Sequence, residues 1–516
     1  MVLPVFAVDI VDNALGRPVP RAVSGKKIVP FGGYKSMRAG PKVMSLEDAI
    51  RSSGLKDGMT ISFHHQLRNG DSVVNNVLET ASEMGIKGLR LAPTALFPVH
   101  EPVLDHIKSG VVNRIEGSMN GPIGDYVSHK PDALASPGIL RSHGRRAAAV
   151  MSGELEVDVA FIAASQADTY GNSTGIWGKS SFGPMAFSYV DALFAKKVVV
   201  VSDDVRDYPL HHQEVTEAQV DAVVEVDSIG DPDKIVSGTL NITTEPERLR
   251  IAMDSVDLID ALGIIKHGLG FQSGAGGMSL AATKFLGERI KEKGVVADFC
   301  IGGTTQYVFD IYNAGGVKFI YIGQAFDFAS VEFCRNNPEG KAWGTLNAAH
   351  YASPAARSRA VDNLDVVFLG GTEVDVDFNV NVNTHSDGRL LHGIGGHQDT
   401  AAGADVTIIL TPLTRKTNPI IRDRVTTITT PGEAVDVVVT DHGMAINPRR
   451  RDLLKLVEGK DLPLKTIEEL RDIAYDAVGR PEPPLVDRSK VVGLIHWLDG
   501  TVIDTVFKVK KRDGER

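Results

Sequence analysis

Two apolar runs decide the fold: Val157-Asp158-Val159-Ala160-Phe161-Ile162 and Lys197-Val198-Val199-Val200-Val201. Both are rich in β-branched residues and have the length of a single strand. A strand that is apolar on both faces is typical of a parallel sheet with helices packed on each side. The two runs therefore predict an α/β protein with open, mostly parallel sheets.

Strand-like and helix-like segments alternate on both sides of these runs. Upstream, Ser45-Leu46-Glu47-Asp48 predicts a helix N-terminus, residues 59–63 predict a strand, and residues 73–84 predict a helix. The second half repeats the rhythm, with predicted helices at 249–262, 279–293, 304–313 and 329–336 and predicted strands at 295–301 and 317–322. The repetition predicts two α/β lobes in tandem.

The domain boundary is predicted where the composition changes. Between Val226 and Glu247 the sequence turns to Asp, Gly, Pro, Ser and Thr, as linkers do. Near the end, strand-like residues 491–497 and 502–509 flank Asp499-Gly500, which predicts a hairpin. We predict an N-terminal arm over residues 1–45, an N-terminal lobe over 46–238, and a C-terminal lobe with the hairpin over 239–516.

Charge and hydropathy argue against several classes of protein. The chain has 55 Lys and Arg against 65 Asp and Glu, a net charge of −10, and no long basic block, so a nucleic-acid partner is not expected. Its apolar runs are strand-sized, far short of the roughly 20 residues that a membrane span needs. The first residues lack the basic flank and sustained apolar region of a secretory signal. A cytoplasmic protein without a membrane partner is expected.

The two cysteines, Cys300 and Cys334, are too few for a disulfide framework and too far apart in sequence for a redox or metal pair. The adjacent pair His64-His65 would point in opposite directions on an extended chain, which is a poor arrangement for a metal. We therefore expect buried structural thiols and no metal site.

Four glycine-rich segments are candidates for ligand-binding loops: Gly32-Gly33, residues 268–277, Gly302-Gly303 and residues 393–396. Glycine lets backbone N–H groups approach a ligand closely, so such loops can hold phosphates or an oxyanion. Each is equally compatible with a tight turn. Neither a P-loop nor a dinucleotide fingerprint is clearly present.

The order of segments around the fourth loop resembles a known enzyme family. Gly393-Ile394-Gly395-Gly396-His397-Gln398 is followed by a strand-like run at 406–410 and by Val437-Val438-Val439-Thr440-Asp441-His442-Gly443. This order resembles the C-terminal lobe of acyl-CoA transferases, which carry a Gly-x-Gly-Gly-Gln loop and a Val-Thr-Glu/Asp-x-Gly segment. Residues 57–71 and 151–172 are similar to those of citrate lyase alpha chains, and the likeness runs from about Val23 to the hairpin.

The resemblance implies two tandem CoA-transferase-type lobes and an acyl-exchange activity. An enzyme of this kind swaps acetate for citrate on the thiol of an acyl carrier protein. Acyl-CoA or a phosphopantetheine-type thioester is then a substrate, and no tightly bound cofactor is expected. The expected partners are the acyl carrier protein subunit and the lyase subunit of a citrate lyase complex, small carboxylic acids, and further copies of the chain.

One departure from the family pattern bears on mechanism. Covalent CoA-transferases carry a glutamate nucleophile at a strand end between two glycine-rich loops, whereas the corresponding residues here, 297–303, include no glutamate. Asp298 is the nearest acid, with a solvent-facing or capping role as the simpler interpretation. We therefore expect the citrate carboxylate itself to attack the acetyl thioester.

The chemistry needs donors for an oxyanion and cations for a tricarboxylate. Backbone amides of Gly395, Gly396 and His397 are the predicted oxyanion donors, although a histidine hydrogen-bonded to backbone is equally compatible at His397. Arg68, just beyond a predicted strand, suits a carboxylate, the alternative being a surface ion pair with Asp71. His64 and His65 complete the predicted citrate site. The predicted carrier-binding residues are Gly393, Ile394, Gln398, Ser273, Gly274, Gly276 and Gly277.

Other functions are compatible with the same residues. An acyl-CoA hydrolase would use the same loops with water as the acceptor, and no residue distinguishes citrate from citramalate. The chain is also compatible with a non-catalytic subunit that docks the carrier protein.

Overall fold

The computed structural model describes residues 10–12, 18–20, 40–236, 241–337 and 339–510. Two compact units result, residues 1–36 and 37–516. Within the first unit, Ile10–Asp12 and Pro18–Pro20 pair as antiparallel strands. The predicted boundary at residues 238 and 239 lies outside the described residues, as does most of the predicted arm.

A seven-stranded parallel sheet forms the first half of the larger unit. Its strand order is β1-β7-β6-β5-β2-β3-β4. Val198, Val199 and Val200 on its sixth strand are completely buried, as the two deciding runs predicted. The strands are β1 Val43–Met44, β2 Thr60–Phe63, β3 Leu89–Pro93, β4 Val112–Ile115, β5 Val159–Ala164, β6 Lys197–Ser202 and β7 Ala222–Glu225.

An eight-stranded sheet follows, in the order β11-β10-β9-β8-β12-β13-β14-β15. All its pairings are parallel except the last, β14 with β15. The open, mostly parallel fold is confirmed. The strands are β8 Gly270–Ser273, β9 Ala297–Thr304, β10 Val317–Ala325, β11 Trp343–Thr345, β12 Val366–Gly370, β13 Val406–Leu410, β14 Val437–Thr440 and β15 Gly443–Ile446.

Fifteen helices and several short 3₁₀ turns connect the strands in the described ranges. The helices are α1 Leu46–Ser53, α2 Val73–Glu83, α3 Val103–Lys108, α4 Gly121–His129, α5 His143–Met151, α6 Tyr189–Phe194, α7 Pro232–Ile235, α8 Pro246–Ala261, α9 Gly277–Lys293, α10 Gln306–Asn313, α11 Phe328–Asn336, α12 Ala348–Ala352, α13 His397–Gly403, α14 Arg451–Leu456 and α15 Ile467–Val478. Among them, no helix is both long and apolar enough to cross a bilayer.

Alternate residues of β12, in the second sheet, pack in two different hydrophobic cores. Val366 and Phe368 pack in a core with residues of α8 and α9, whereas Val367 and Leu369 pack in a core with residues of α13 and α15. The strand is therefore covered on both faces, which explains why its sequence is continuously apolar rather than alternating.

The C-terminal hairpin is formed by β16 (Val486–His496) and β17 (Val502–Val509), around the predicted Asp499-Gly500 turn. The first of these strands also pairs in parallel with Gly138–Leu140. The hairpin thus extends a small sheet that includes a segment of the first half.

Candidate functional site

The carboxyl ends of strands from both sheets meet around His65. His65 follows β2, and its Nε2 lies 3.1 Å from Oε1 of Gln324, near the end of β10. The Gln324 side chain in turn donates to the carbonyl of His65 at 3.2 Å. Nδ1 of the same ring lies 2.6 Å from the Thr94 hydroxyl. Ligands of open α/β sheets bind at this end of the strands, so the candidate site lies between the two sheets.

The ring of His65 stacks against that of His143, with centroids 4.9 Å apart, and Phe187 packs against both rings at 4.6 Å. Burial lowers the pKa of His65 well below its ordinary value, and the electrostatic repulsion between protonated His65 and protonated His143 lowers it further. Burial and the charge of Arg146 lower the pKa of His143 to about 4. Both imidazoles are therefore neutral at physiological pH.

Arg68 is buried in the same site. Its side chain is only 8% exposed, and its guanidinium carbon lies 5.0 Å from the ring centroid of Phe326 and 5.9 Å from that of Phe97. Its backbone has a φ of +52°, a strained value for a residue with a side chain. Burial lowers its pKa to about 10. The alternative of a surface arginine paired with Asp71 is wrong because the side chain is buried and Asp71 caps Val73 N–H at 2.6 Å.

His64 points away from His65, into the interior. Its Nε2 lies 3.1 Å from Asp191, which also accepts hydrogen bonds from Ser62 and Arg146 at 2.6 and 2.7 Å. Burial raises the pKa of Asp191, but the charges and hydrogen bonds of Arg146 and His64 together outweigh burial and hold that pKa well below the ordinary range. These contacts give His64 a structural role beneath the site, in contrast to the predicted citrate contact.

The loop from Gly393 to Gly396 connects the two halves of the site. The carbonyl of Gly395 accepts a hydrogen bond from the backbone N–H of His143 at 2.9 Å, and the Ile394 side chain packs into the core of the first sheet. Gly395 has a φ of +64°. A Cβ at Gly393 would lie 2.6 Å from Ser118 Cβ, so the backbone approaches closely there. Because the Ile394 side chain is buried, only its backbone could make the predicted carrier contact, which stays a prediction.

The two residues after these glycines are occupied in holding the loop. His397 Nδ1 lies 2.7 Å from the Thr430 hydroxyl and Nε2 lies 2.9 Å from the Gly370 carbonyl, while its backbone N–H donates to Ile394 O. Gln398 is completely buried and donates to Thr429 O at 2.7 Å. His397 therefore matches the alternative of a histidine bonded to backbone, not the predicted oxyanion donor, and Gln398 does not face a carrier.

The amides of Gly395 and Gly396 differ from that of His397. Neither donates to an acceptor in the described part of the chain. A Cβ at Gly396 would lie 2.4 Å from the Tyr351 hydroxyl, so a residue with a side chain would not fit against this buried phenol. That hydroxyl accepts a hydrogen bond from Gln272 Nε2 at 3.0 Å. Both amides are free to hold an anion.

The carboxyl end of β9 packs against Gln272 and Phe326 in the same site. Gly302 has a φ of +101°, and a Cβ there would lie 2.9 Å from the Gln272 side chain; at Gly303 it would lie 2.0 Å from the ring of Phe326. Asp298 lies near the opposite end of this strand, exposed and 2.6 Å from Lys318. The aspartate therefore has the predicted solvent-facing role. Cys300, on the same strand, and Cys334 are both buried, as predicted.

The turn from Ser273 to Gly277 lies at the end of β8 and opens α9. Ser273 donates to Ser279 O at 2.7 Å, and Gly274 N–H donates to Phe368 O at 2.8 Å. Gly276 is exposed, and Gly274 and Gly277 are partly so. The turn is thus at the same sheet edge as the site, and its predicted role in carrier binding stays a prediction.

Asp399 lies on α13, just after the loop, and its side chain contacts the start of α5. Its carboxyl group accepts hydrogen bonds from the Ser142 hydroxyl at 2.6 Å and the Gly144 N–H at 3.0 Å, at the start of α5. Burial raises its pKa to about 7.

In the described ranges, no three His, Cys, Asp or Glu side chains are grouped closely enough to hold a metal ion.

We expect the substitution Asp399→Asn to change the pH dependence of stability. The native group holds its proton up to about pH 7, whereas an unfolded Asp loses it near pH ~4, so native stability falls as pH rises through this window. Relative to the variant, the wild-type free energy of unfolding should fall by about 2–3 kcal/mol between pH ~5 and ~8. Urea denaturation at several pH values measures this, with exposed Asp476→Asn as the control. A pH-independent difference would contradict the assignment.

Several residues of this cluster escaped the sequence analysis: His143, Gln272, Gln324, Phe326 and Tyr351. Gln272 and Gln324 lie at or near strand ends, so the rule that identified Arg68 could have found them. His143 begins a helix and Tyr351 lies within one, and only the tertiary fold brings them to the loop.

Comparisons with known proteins of similar sequence point to a single family. A family model described as citrate lyase, alpha subunit, matches residues 41–509. The chain is 43% identical to the citrate lyase alpha chain of Haemophilus influenzae over 467 residues, which cover 90% of this chain and 92% of that protein. It is 42% identical to that of Klebsiella pneumoniae over 470 residues, 91% of each.

Solved structures give the same result. The chain matches a structure of the putative alpha subunit of citrate lyase from Streptococcus mutans, in complex with citrate, with a TM-score of 0.89 and 39% identity over 95% of this chain and 96% of that one. A malonate decarboxylase alpha subunit from Acinetobacter baumannii has a TM-score of 0.62 at 15% identity, over 85% of this chain and 88% of that one. The latter likeness is one of fold alone.

Proposed function

Because this chain belongs to the citrate lyase alpha subunit family, we propose that it moves a carrier thiol from acetate to citrate, giving a citryl thioester and free acetate. Membership of the family makes it a transferase subunit of citrate metabolism. The acyl donor is proposed to be the acetyl thioester of an acyl carrier protein subunit, with acetyl-CoA as a surrogate, and a separate lyase subunit would cleave the citryl product.

The observation that carries the proposed mechanism is the end of β9. Residues 297–303 correspond to the region that carries the glutamate in covalent CoA-transferases, and Gly302 and Gly303 lie near the end of this strand. The Phe326 ring fills the space beside Gly303. The only acid on the strand, Asp298, lies near its other end. With no carboxylate at this strand end, the nucleophile is proposed to be a carboxylate of citrate itself.

The exchange then proceeds in two balanced steps. A citrate carboxylate oxygen attacks the acetyl carbonyl carbon, a C–O bond forms, and the C–S bond breaks to release the carrier thiolate and leave a mixed anhydride. The thiolate next attacks the citryl carbonyl of the anhydride, forming a new C–S bond and expelling acetate. Each step passes through a tetrahedral oxyanion, which the amides of Gly395 and Gly396 would hold.

Citrate is proposed to bind beside Arg68 and His65. Arg68 supplies a buried positive charge whose planar fork matches a carboxylate. His65, whose two ring nitrogens are engaged by Thr94 and Gln324, is proposed to line the same strand end. The carrier is proposed to approach over Gly393 and the turn from Ser273 to Gly277, where N–H groups at the start of α9 suit a phosphate.

The protein is also proposed to assemble with further copies of the chain and to work in the cytoplasm.

Citrate dependence tests the proposal. We expect acetate release from acetyl carrier protein, or acetyl-CoA, to require citrate, and we expect no mass increase of the chain when it is incubated with acetyl thioester alone. Acetate release at the same rate without any acceptor would support an acyl-CoA hydrolase instead. A stable acyl or thioester adduct on the chain would contradict direct attack. Citramalate in place of citrate provides the control for acceptor specificity.

A further inference from the structure

His143 differs from His65 and His397 in its hydrogen bonding. Both ring nitrogens of His65 and of His397 lie within 3.1 Å of polar partners. His64 lies against Asp191. The ring nitrogens of His143, in contrast, have no hydrogen-bond partner among the described residues, and the residue is partly exposed. A fixed imidazole with unused nitrogens is available to a ligand.

The position of the ring is set by several independent contacts. It stacks almost parallel to His65, at an interplanar angle of 9°, and packs against Phe187. Its backbone N–H donates to Gly395 O. Ser142 caps the helix that His143 begins, by accepting from Arg145 N–H at 3.1 Å. The ring therefore has little freedom to turn away from the loop.

His143 Nε2 lies beside Gly395, whose amide is one of the proposed oxyanion donors. A Cβ built on Gly395 would meet this atom at 3.9 Å and has no other heavy atom within 4 Å. The absence of a side chain at Gly395 thus leaves an open space bounded by Nε2 on one side and by the loop backbone on the other. A thioester oxygen in this space would lie close to both.

We infer that His143 is a catalytic residue of the exchange, whose Nε2–H donates a hydrogen bond to the thioester oxygen as it becomes an oxyanion, together with the loop amides. The inference rests on the proposed function, since it concerns the same reaction. No proton is transferred to the oxygen, because the tetrahedral adduct collapses by expelling a thiolate or a carboxylate. A neutral imidazole is the appropriate donor here, because it binds the anion without protonating the attacking carboxylate.

A pair of substitutions separates the hydrogen bond from the packing. His143→Phe keeps an aromatic ring against His65 and Phe187 but removes the donor, and we expect the citrate-dependent rate to fall ~10²–10³-fold with an unchanged KM for citrate. His143→Gln restores a donor near the position of Nε2, and we expect it to remain within ~10-fold of wild type. The backbone hydrogen bond to Gly395 O persists in both variants.

Each outcome decides the inference. A His143→Phe rate within about threefold of wild type, or equal losses in the two variants, would overturn it, as would a loss confined to the KM for citrate. If His143→Phe does not fold, His143→Leu replaces it in the same comparison. A wild-type protein that releases acetate without citrate contradicts the proposed function alone, because hydrolysis forms the same oxyanion and the variants can then be compared in that reaction.

Discussion

Gly395→Ala is expected to lower citrate-dependent acetate release by ~10²–10³-fold, the effect of losing one oxyanion donor. Two features of the residue give this result. A φ of +64° disfavours any residue with a Cβ, so the loop must shift to relieve the strain and its amides move with it. The added methyl group also occupies the space 3.9 Å from His143 Nε2 that the thioester oxygen needs.

The matched control is Gly294→Ala. Gly294 has almost the same backbone conformation, with a φ of +62°, and a Cβ there has no neighbour within 4 Å. It caps the C-terminus of α9 on the surface. Both variants should lose roughly 1 kcal/mol of stability, by chemical denaturation, from the same strain. Only Gly395→Ala should lose activity, and full exchange activity in that variant would contradict the role of the loop.

The fold was predictable because its signals are local. The continuous β-branched run at Val198 to Val201 indicates a strand covered on both faces, and both faces are indeed covered. Helix ends were equally local: Ser45 accepts from Asp48 N–H as its sequence predicted, and Gly294 adopts the left-handed conformation that ends α9. Predicted and observed helix limits differ by three residues or fewer, because capping residues of this kind can be recognised in the sequence.

The site was only partly predictable because its contacts are distant in sequence. The rule on carboxyl ends of strands led to Arg68 and His65, and the order of segments around the fourth glycine-rich loop led to Gly395 and Gly396. The structure brings these residues to one region, and their roles stay predictions. Sequence spacing cannot show that the His397 ring is held by Thr430 and the Gly370 carbonyl. Nor can it show that α5 begins against Asp399, since Gly144 and Asp399 are 255 residues apart.

Arg68→Lys is expected to raise the KM for citrate by ~10–100-fold, because a hydrogen bond to a charged group contributes about 1.5–3 kcal/mol and lysine cannot keep the bidentate geometry. The substitution retains one positive charge and introduces no new strain, since both side chains carry a Cβ at the same φ of +52°. Burial lowers the pKa of Arg68 to about 10, and a carboxylate bound beside the guanidinium would raise that pKa again.

Steady-state kinetics with citrate and acetyl-CoA varied separately measures the effect. The KM for acetyl-CoA should stay near the wild-type value, because Arg68 is assigned to the acceptor acid and the carrier approaches over the glycine loops. Arg488→Lys is the control, since its guanidinium carbon likewise lies 5.7 Å from the centroid of an aromatic ring, Phe507, on the C-terminal hairpin. An unchanged citrate KM in Arg68→Lys, or an equal increase in Arg488→Lys, would contradict the assignment of Arg68 to the citrate site.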